Sequence, residues 1–306
     1  MAAPARGPET LAHDPDAWGF VEGDELAPGR IALERLGGGS DYEAYLIWDD
    51  HLHALAVAKC LRPHLVDDAV ALRHLARESG LVRRLAHPVV VRGFGAVLSG
   101  QRPHLVLEHL DGPTLEQTIR RFGPLAPRQV LPLAFQLASA LAFLANEQVV
   151  HLDVKPRNVI MGIPPRLIDL SVARPFADAT SITKPIGTDA YMAPEQCDPV
   201  RAPIGPRADV WGLGATLYHA VAGEVPFPRD ADADLEEPRE RFPQLSWTQG
   251  PLPKETPAAL ATVIGACLEF EPQDRPSAAV VALELQPLIG ELKPERILGR
   301  PRPKIR

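Results

Sequence analysis

The chain has 306 residues, 45% of them hydrophobic and 23% charged, which is ordinary globular usage and enough to bury a large core. A formal net charge of -7 lacks the basic excess that non-specific nucleic-acid binding needs, so no nucleic-acid partner is expected. Cys60, Cys197 and Cys267 are isolated and without CxxC spacing, which excludes a disulfide framework or structural zinc site and leaves buried, incidental thiols.

Residues 1–25 carry no apolar core of a signal peptide and read as an unstructured lead. Strands are predicted over 31–36 and 43–48, flanking the turn Leu36-Gly37-Gly38-Gly39-Ser40. A third strand, 55–61, contains Ala56-Val57-Ala58-Lys59. Leu72, Leu75, Leu81, Val82 and Leu85 recur at spacings near 3.6 and predict a helix over 68–85, with Glu78 on it. Strand character returns over 89–98 and 104–108.

Beyond Asp111 the pattern becomes helical, with long apolar segments over 131–146, 208–223 and 257–269. The strongly apolar stretch 131–145 is short for a bilayer and includes Gln136, so no transmembrane segment and a cytoplasmic location are expected. Residues 229–257 are acidic and proline-rich and read as an exposed insert. The basic stretch 293–306 reads first as a solvated tail, with a dock for an acidic partner or membrane surface, or the stub of a longer linker, as alternatives.

Several motifs carry chemistry. The glycine turn has backbone amides that suit a triphosphate. Lys59 on a strand and Glu78 on the next helix suit an ion pair that holds the ammonium against phosphate. The run His151-Leu152-Asp153-Val154-Lys155-Pro156-Arg157-Asn158 is followed by Ile168-Asp169-Leu170-Ser171. A hydroxyl nucleophile needs a carboxylate to orient it and accept its proton, which suits Asp153. Magnesium takes hard oxygen ligands, which Asn158 and Asp169 supply. Lys155 adds positive charge where a transferring phosphoryl group carries negative charge.

With these residues in place, the chain resembles the eukaryotic-type (Hanks-type) Ser/Thr protein kinases, bacterial branch, over roughly residues 26–288. His87-Pro88, the hinge-like segment 105–110, Gly187-Thr188-Asp189-Ala190-Tyr191-Met192-Ala193-Pro194-Glu195 and Asp209-Val210-Trp211-Gly212 extend the match. The resemblance implies an α+β, bilobal kinase fold over 26–290, with a small lobe at about 26–108, a helical lobe at about 112–290, and a tail at 291–306. It implies ATP and Mg²⁺, with Mn²⁺ a substitute, and a protein substrate bearing a Ser/Thr acceptor; a homodimer is compatible with it. Asp153, Lys155, Lys59 and Glu78 would be catalytic, and Asn158 and Asp169 the metal ligands. The nucleotide would meet Gly37, Gly38, Gly39, Ser40, Ala44, Val57, Lys59, Leu107 as gatekeeper, Glu108 and Leu110, with Ile160 as floor. Lys155 and Thr188 mark the Ser/Thr class, and Arg275 is the structural ion partner of Glu195.

Four departures stand out. Tyr42 replaces the third glycine of the loop and Asp41 its usual aromatic cap, which predicts a stiffer loop and weaker ATP binding, unless Tyr42 points outward. Leu152 replaces the usual Arg (His-Leu-Asp, a non-RD pattern), so phosphate on Thr180, Ser181 or Thr183 would lack a partner and activity is expected not to require it. Leu170 and Ser171 replace Phe and Gly after Asp169. Ala44 and Val57 exchange the usual large and small residues of the adenine roof at conserved volume. Two other readings remain: a pseudokinase acting as a binding scaffold, supported by the altered loop, and a small-molecule phosphotransferase, opposed by Ala193-Pro194-Glu195.

Overall fold

The computed structural model describes residues 16–246 and 248–290. Along β1 (Glu25–Ala27), β2 (Arg30–Gly38), β3 (Tyr42–Asp49) and β4 (Ala54–Leu61), side chains alternate between two faces, as a pleated strand requires. They join one antiparallel sheet, in the order β1-β2-β3-β4-β6-β5, with β5 (Gly93–Val97) and β6 (His104–Glu108). On one face Tyr45, Ile47, Ala56, Ala58 and Cys60 are buried with Leu26 and Val106. On the other, Tyr42, Ala44, Val57 and Lys59 are only half-buried.

Between β4 and β5 lies α1 (Ala69–Arg84). It starts where the Asp68 carboxylate accepts the N–H groups of Val70 and Ala71 at 2.8 and 2.7 Å, satisfying donors that have no helical partner. Its buried stripe includes Leu75, Glu78, Leu81 and Val82. The expected strand at 89–98 shortens to β5, because Val89, Val90 and Val91 are buried in a turn and bridge instead of a ladder.

The chain divides into two compact units, Met1–Asp111 with Ile168–Ala173, and Gly112–Leu167 with Arg174–Arg306. The second is helical, as the small-β, large-α expectation had it. It contains α2 (Leu115–Phe122), opened by a reciprocal Thr114–Gln117 capping box, and α3 (Pro127–Asn146). Short ladders pair β7 (Val149–Val150) with β10 (Arg174–Pro175), and β8 (Val159–Ile160) with β9 (Arg166–Leu167). There follow α4 (Phe176–Ala179), α5 (Pro194–Cys197), α6 (Pro206–Ala222), α7 (Pro238–Arg241), α8 (Ala258–Cys267) and α9 (Ala278–Gly290). Helix α3 packs on α6 and α9. It begins four residues before the expected start, at Pro127, and its 20 residues are long and apolar enough to cross a membrane. Half of that apolar window is nevertheless buried within its own unit.

The lead was expected to be unstructured to residue 25. Residues 1–15 lie outside the described residues, but the stretch from Trp18 onward is packed on the sheet. The Trp18 backbone N–H donates to Glu43 at 2.9 Å, its indole N–H to the Leu61 carbonyl at 2.7 Å, and the Arg102 guanidinium lies over the rings of Trp18 and Phe20. Two aromatic rings and an indole donor find more free energy on an apolar sheet face than in water. The insert also differs from expectation: Phe242, Pro243 and Gln244 are buried. The basic stretch 293–306 lies outside the described residues. All three cysteines are free and buried, and burial pushes the Cys60 and Cys267 thiols up to about 12.

Trp18→Ala removes half of an aromatic cluster and the indole bond, a loss of roughly 1–2 kcal/mol for a partly exposed ring. A thermal melt should fall by several degrees.

Candidate active site

In the first unit, the β3–β4 register sets Ala44 opposite Lys59 and Leu46 opposite Val57, so Ala44, Val57 and Lys59 share the half-buried face. Lys59 Nζ donates to both oxygens of Glu78, at 2.8 and 3.0 Å, and to Asp169 Oδ1 at 2.7 Å. Burial opposes the charge on Lys59, but the Glu78 and Asp169 carboxylates outweigh it and hold the ammonium pKa above its ordinary value. Asp169 sits at φ +67° and takes the Ser171 N–H on Oδ1 at 3.3 Å.

Tyr42 does not point outward. Two positions before Ala44, it shares the face of Lys59, and its ring centroid lies 4.6 Å from Nζ. Burial, aided by the Glu78 charge, raises the Tyr42 hydroxyl pKa well above its usual value, so it stays neutral. In the loop, Gly39 N–H donates to the Tyr42 carbonyl at 2.9 Å, Ser40 Oγ donates to Asp41 at 2.6 Å, and Arg62 Nε donates to the Gly39 carbonyl at 2.6 Å. Gly37 and Gly38 lie in the ladder opposite Ala44 and Glu43. Leu107 is buried in β6, Glu108 accepts the Arg92 N–H at 2.8 Å, and Leu110 follows half-buried.

In the second unit, Asp209 at the start of α6 is buried, and its carboxylate accepts the N–H groups of His151 and Leu152 at 2.7 and 2.8 Å. Those bonds hold Leu152 at φ +68°, a conformation costly for leucine unless its surroundings over-determine it. Gly212 in α6 lets the loop lie close: a Cβ there would stand 3.0 Å from Val154. The polar side chains of this loop then converge. Lys155 Nζ donates to Asp153 Oδ2 at 2.7 Å and to Thr188 Oγ1 at 2.5 Å. Thr188 donates to Asp153 Oδ1 at 2.7 Å, and Asn158 Nδ2 donates to the Asp153 carbonyl and Oδ2 at 2.9 and 3.0 Å. Ile160 is half-buried on β8, bridged to Thr114.

The sequence-selected residues thus gather as two clusters: Lys59, Glu78 and Asp169 in one unit, and Asp153, Lys155 and Asn158 in the other. A model of the protein kinase domain family matches residues 31–284. The chain belongs to the protein kinase family. Among its relatives, the serine/threonine-protein kinase PkaA of Streptomyces coelicolor is 35% identical over 236 residues, covering 74% of this chain and 42% of PkaA. Serine/threonine-protein kinase PknB of Mycobacterium leprae is 34% identical over 211 residues, 65% of this chain and 33% of PknB. The probable serine/threonine-protein kinase PkwA of Thermomonospora curvata is 31% identical over 268 residues, 84% of this chain and 34% of PkwA. These matches set the chain among the bacterial Hanks-type Ser/Thr kinases, with the bilobal α+β kinase fold. The chain spans about a third to two fifths of the length of these relatives.

The kinase domain also uses residues that the motifs did not single out. Gln196 Nε2 donates to the carbonyls of Leu152 and Ile186 at 2.8 and 2.9 Å, tying the segment before α5 to the Asp153 loop. Gly187, at φ +121°, permits this approach, since a Cβ there would stand 2.8 Å from the Leu152 carbonyl oxygen. No sequence signal marks Gln196: it sits between Glu195 and Cys197, and its burial follows from partners distant in the chain. Glu195 and Arg275 form the expected pair, two bonds of 2.7 and 2.9 Å, fully buried, with Arg275 also donating to three carbonyls.

Asp209→Ala orphans two buried N–H groups beneath a strained residue. The kinase domain should lose about 3 kcal/mol or more, read as a lower urea midpoint at unchanged slope.

Proposed function

We propose that this kinase domain moves the γ-phosphoryl group of ATP onto Ser or Thr hydroxyls of proteins. The observation that carries the reading is the Asp153 carboxylate, set by Lys155, Asn158 and Thr188 through three side-chain bonds of 2.7–3.0 Å. Asp153 orients the acceptor hydroxyl and takes its proton as the hydroxyl oxygen bonds to phosphorus. The bond from phosphorus to the bridging β–γ oxygen breaks, and ADP carries the electron pair away. Lys155, beside Asp153, counters the negative charge of the moving group. Lys59, anchored by Glu78, offers its ammonium to the α- and β-phosphates, and Ala44 and Val57 roof the adenine.

The donor chemistry also fits magnesium. Asn158 turns its NH₂ toward Asp153 and so keeps an amide oxygen for a cation, and in its own unit Asp169 carries a carboxylate of the kind that magnesium takes. Among the described residues no group of three or more His, Cys, Asp or Glu side chains is arranged to hold a metal. This suits Mg²⁺, which is usually held by one or two protein oxygens plus substrate phosphates and water. Bound there, it would supply charge neutralisation at the phosphates. A site that consumes ATP and three reduced thiols also fit a cytoplasmic setting.

The non-RD reading rests on Leu152, whose side chain is 3% exposed and has no charge to offer a phosphate. Tyr42, stacked on the Lys59 ammonium, favours the second reading, a pseudokinase scaffold, because phosphates would have to displace a ring contact of roughly 0.5–2 kcal/mol.

One experiment separates the two. The dephosphorylated chain is incubated with Mg-ATP and a generic Ser/Thr protein substrate, and phosphoryl gain is followed by intact mass. Transfer is expected, and Asp153→Asn should lower kcat by about 10²–10⁴-fold with little change in ATP KM. Absence of transfer by the unaltered chain, with ATP binding retained, would instead establish the scaffold. The variant with Thr180, Ser181 and Thr183 all changed to Ala should keep most of its kcat; loss of most of it would end the phosphate-independent reading.

A further inference from the structure

The activation segment must be ordered by something if phosphate is not needed. We propose that Arg241 and Gln244 of the acidic insert are positioning residues, forming a phosphate-independent latch on the substrate segment 187–197. The idea rests on the kinase reading above and concerns how its substrate platform is held.

Two layers build the latch. In the buried layer, Gln244 is 1% exposed, and its Nε2 donates to the carbonyls of Asp189 and Met192 at 2.7 and 3.1 Å, with Cys197 Sγ at 3.3 Å. Beside it, Phe242 is buried against Met192 and Cys197, with Leu245 packed on the same cluster. In the outer layer, Arg241 holds the Asp189 carboxylate with two bonds, Nε to Oδ2 at 3.0 Å and Nη2 to Oδ1 at 3.2 Å, and Arg229 adds a third contact at 3.2 Å. Exposed ion pairs are individually weak, whereas a buried amide closing on two backbone carbonyls leaves both unsatisfied when removed. Gln244 is therefore the bolt, and Arg241 the guide that sets Asp189.

The consequence runs through one peptide bond. Thr188, next to Asp189, is the residue that bonds Asp153 and Lys155. Fixing Asp189 on one side and tying Ile186 through Gln196 on the other leaves Thr188 little freedom to leave the Asp153 carboxylate. In this way two insert residues reach the substrate platform without touching any reacting group.

The test uses the full chain with Thr180, Ser181 and Thr183 changed to Ala, so that phosphate cannot contribute. Gln244→Ala and, separately, the exposed-site change Arg241→Gln are compared with that background by hydrogen exchange and by kinetics. Gln244→Ala should speed amide exchange over 187–197 by at least about tenfold while α3 and α6 keep their protection. It should raise KM for the protein substrate by about tenfold and leave ATP KM within about twofold. Arg241→Gln should shift both readouts in the same direction by less, and pairing Asp189→Arg with Arg241→Asp should recover part of what either single change loses. Unchanged exchange over 187–197 in Gln244→Ala would overturn the latch. So would faster exchange spread equally over α3 and α6. If the background protein transfers no phosphoryl group although the unaltered chain does, the phosphate-independent reading fails; if neither transfers, the kinase reading fails; in both cases the exchange readout still decides the latch.

Discussion

The Asp209 carboxylate is the contact on which the second unit's chemistry depends. One buried side chain at the first turn of α6 takes two consecutive backbone donors and so fixes Leu152 in a left-handed conformation that it would not keep in isolation. With that bend set, Asp153 turns toward Lys155, Asn158 and Thr188, and the Leu152 carbonyl faces Gln196. A helix that is buried on nearly all sides is the right place for such an anchor, because a close-packed core cannot drift. The energetic logic is that of a buried charge made tolerable by dedicated donors.

In the first unit the corresponding constraint is a triangle of charge. Lys59 stands between two carboxylates and an aromatic ring, so its ammonium is stabilised from several sides while a half-buried face of the sheet stays available. The strand register makes this possible without any unusual backbone: residues two apart on β3 and β4 share a face, and Tyr42, Ala44, Val57 and Lys59 all obey that rule.

Much of this was legible in the sequence, and the rest was hidden for identifiable reasons. The bounds of α1 came within a residue at each end because Asp68 is a strong N-cap and the leucine spacing is regular. Lys59, Glu78, Asp153, Asn158 and Asp169 were picked out by residue type and spacing, and the structure gathers them by hydrogen bonds into one cluster in each unit. The inward turn of Tyr42 was readable as well, from its even separation from Ala44, but its identity as a substituted loop glycine drew attention to the loop instead. Trp18 was masked by a lead rich in small and polar residues, where two aromatics barely alter the average. The insert 229–257 misled in the same manner: its acidic and proline content describes most of it, and Phe242 and Gln244 are buried only because of partners distant in the chain. Composition averages over residues, whereas burial is decided one side chain at a time.

The buried position of Leu152 also limits what the position can hold. Its side chain is 3% exposed, so a longer or charged replacement would have to be accommodated inside the fold rather than in water. A guanidinium there would lose its hydration, a change that is strongly penalised unless a partner comes with it. The backbone bend adds a second demand, because any replacement must also keep the left-handed conformation that the Asp209 bonds impose. Room, charge and backbone thus select together at one residue, and a substitution that meets only one of the three demands fails on the others.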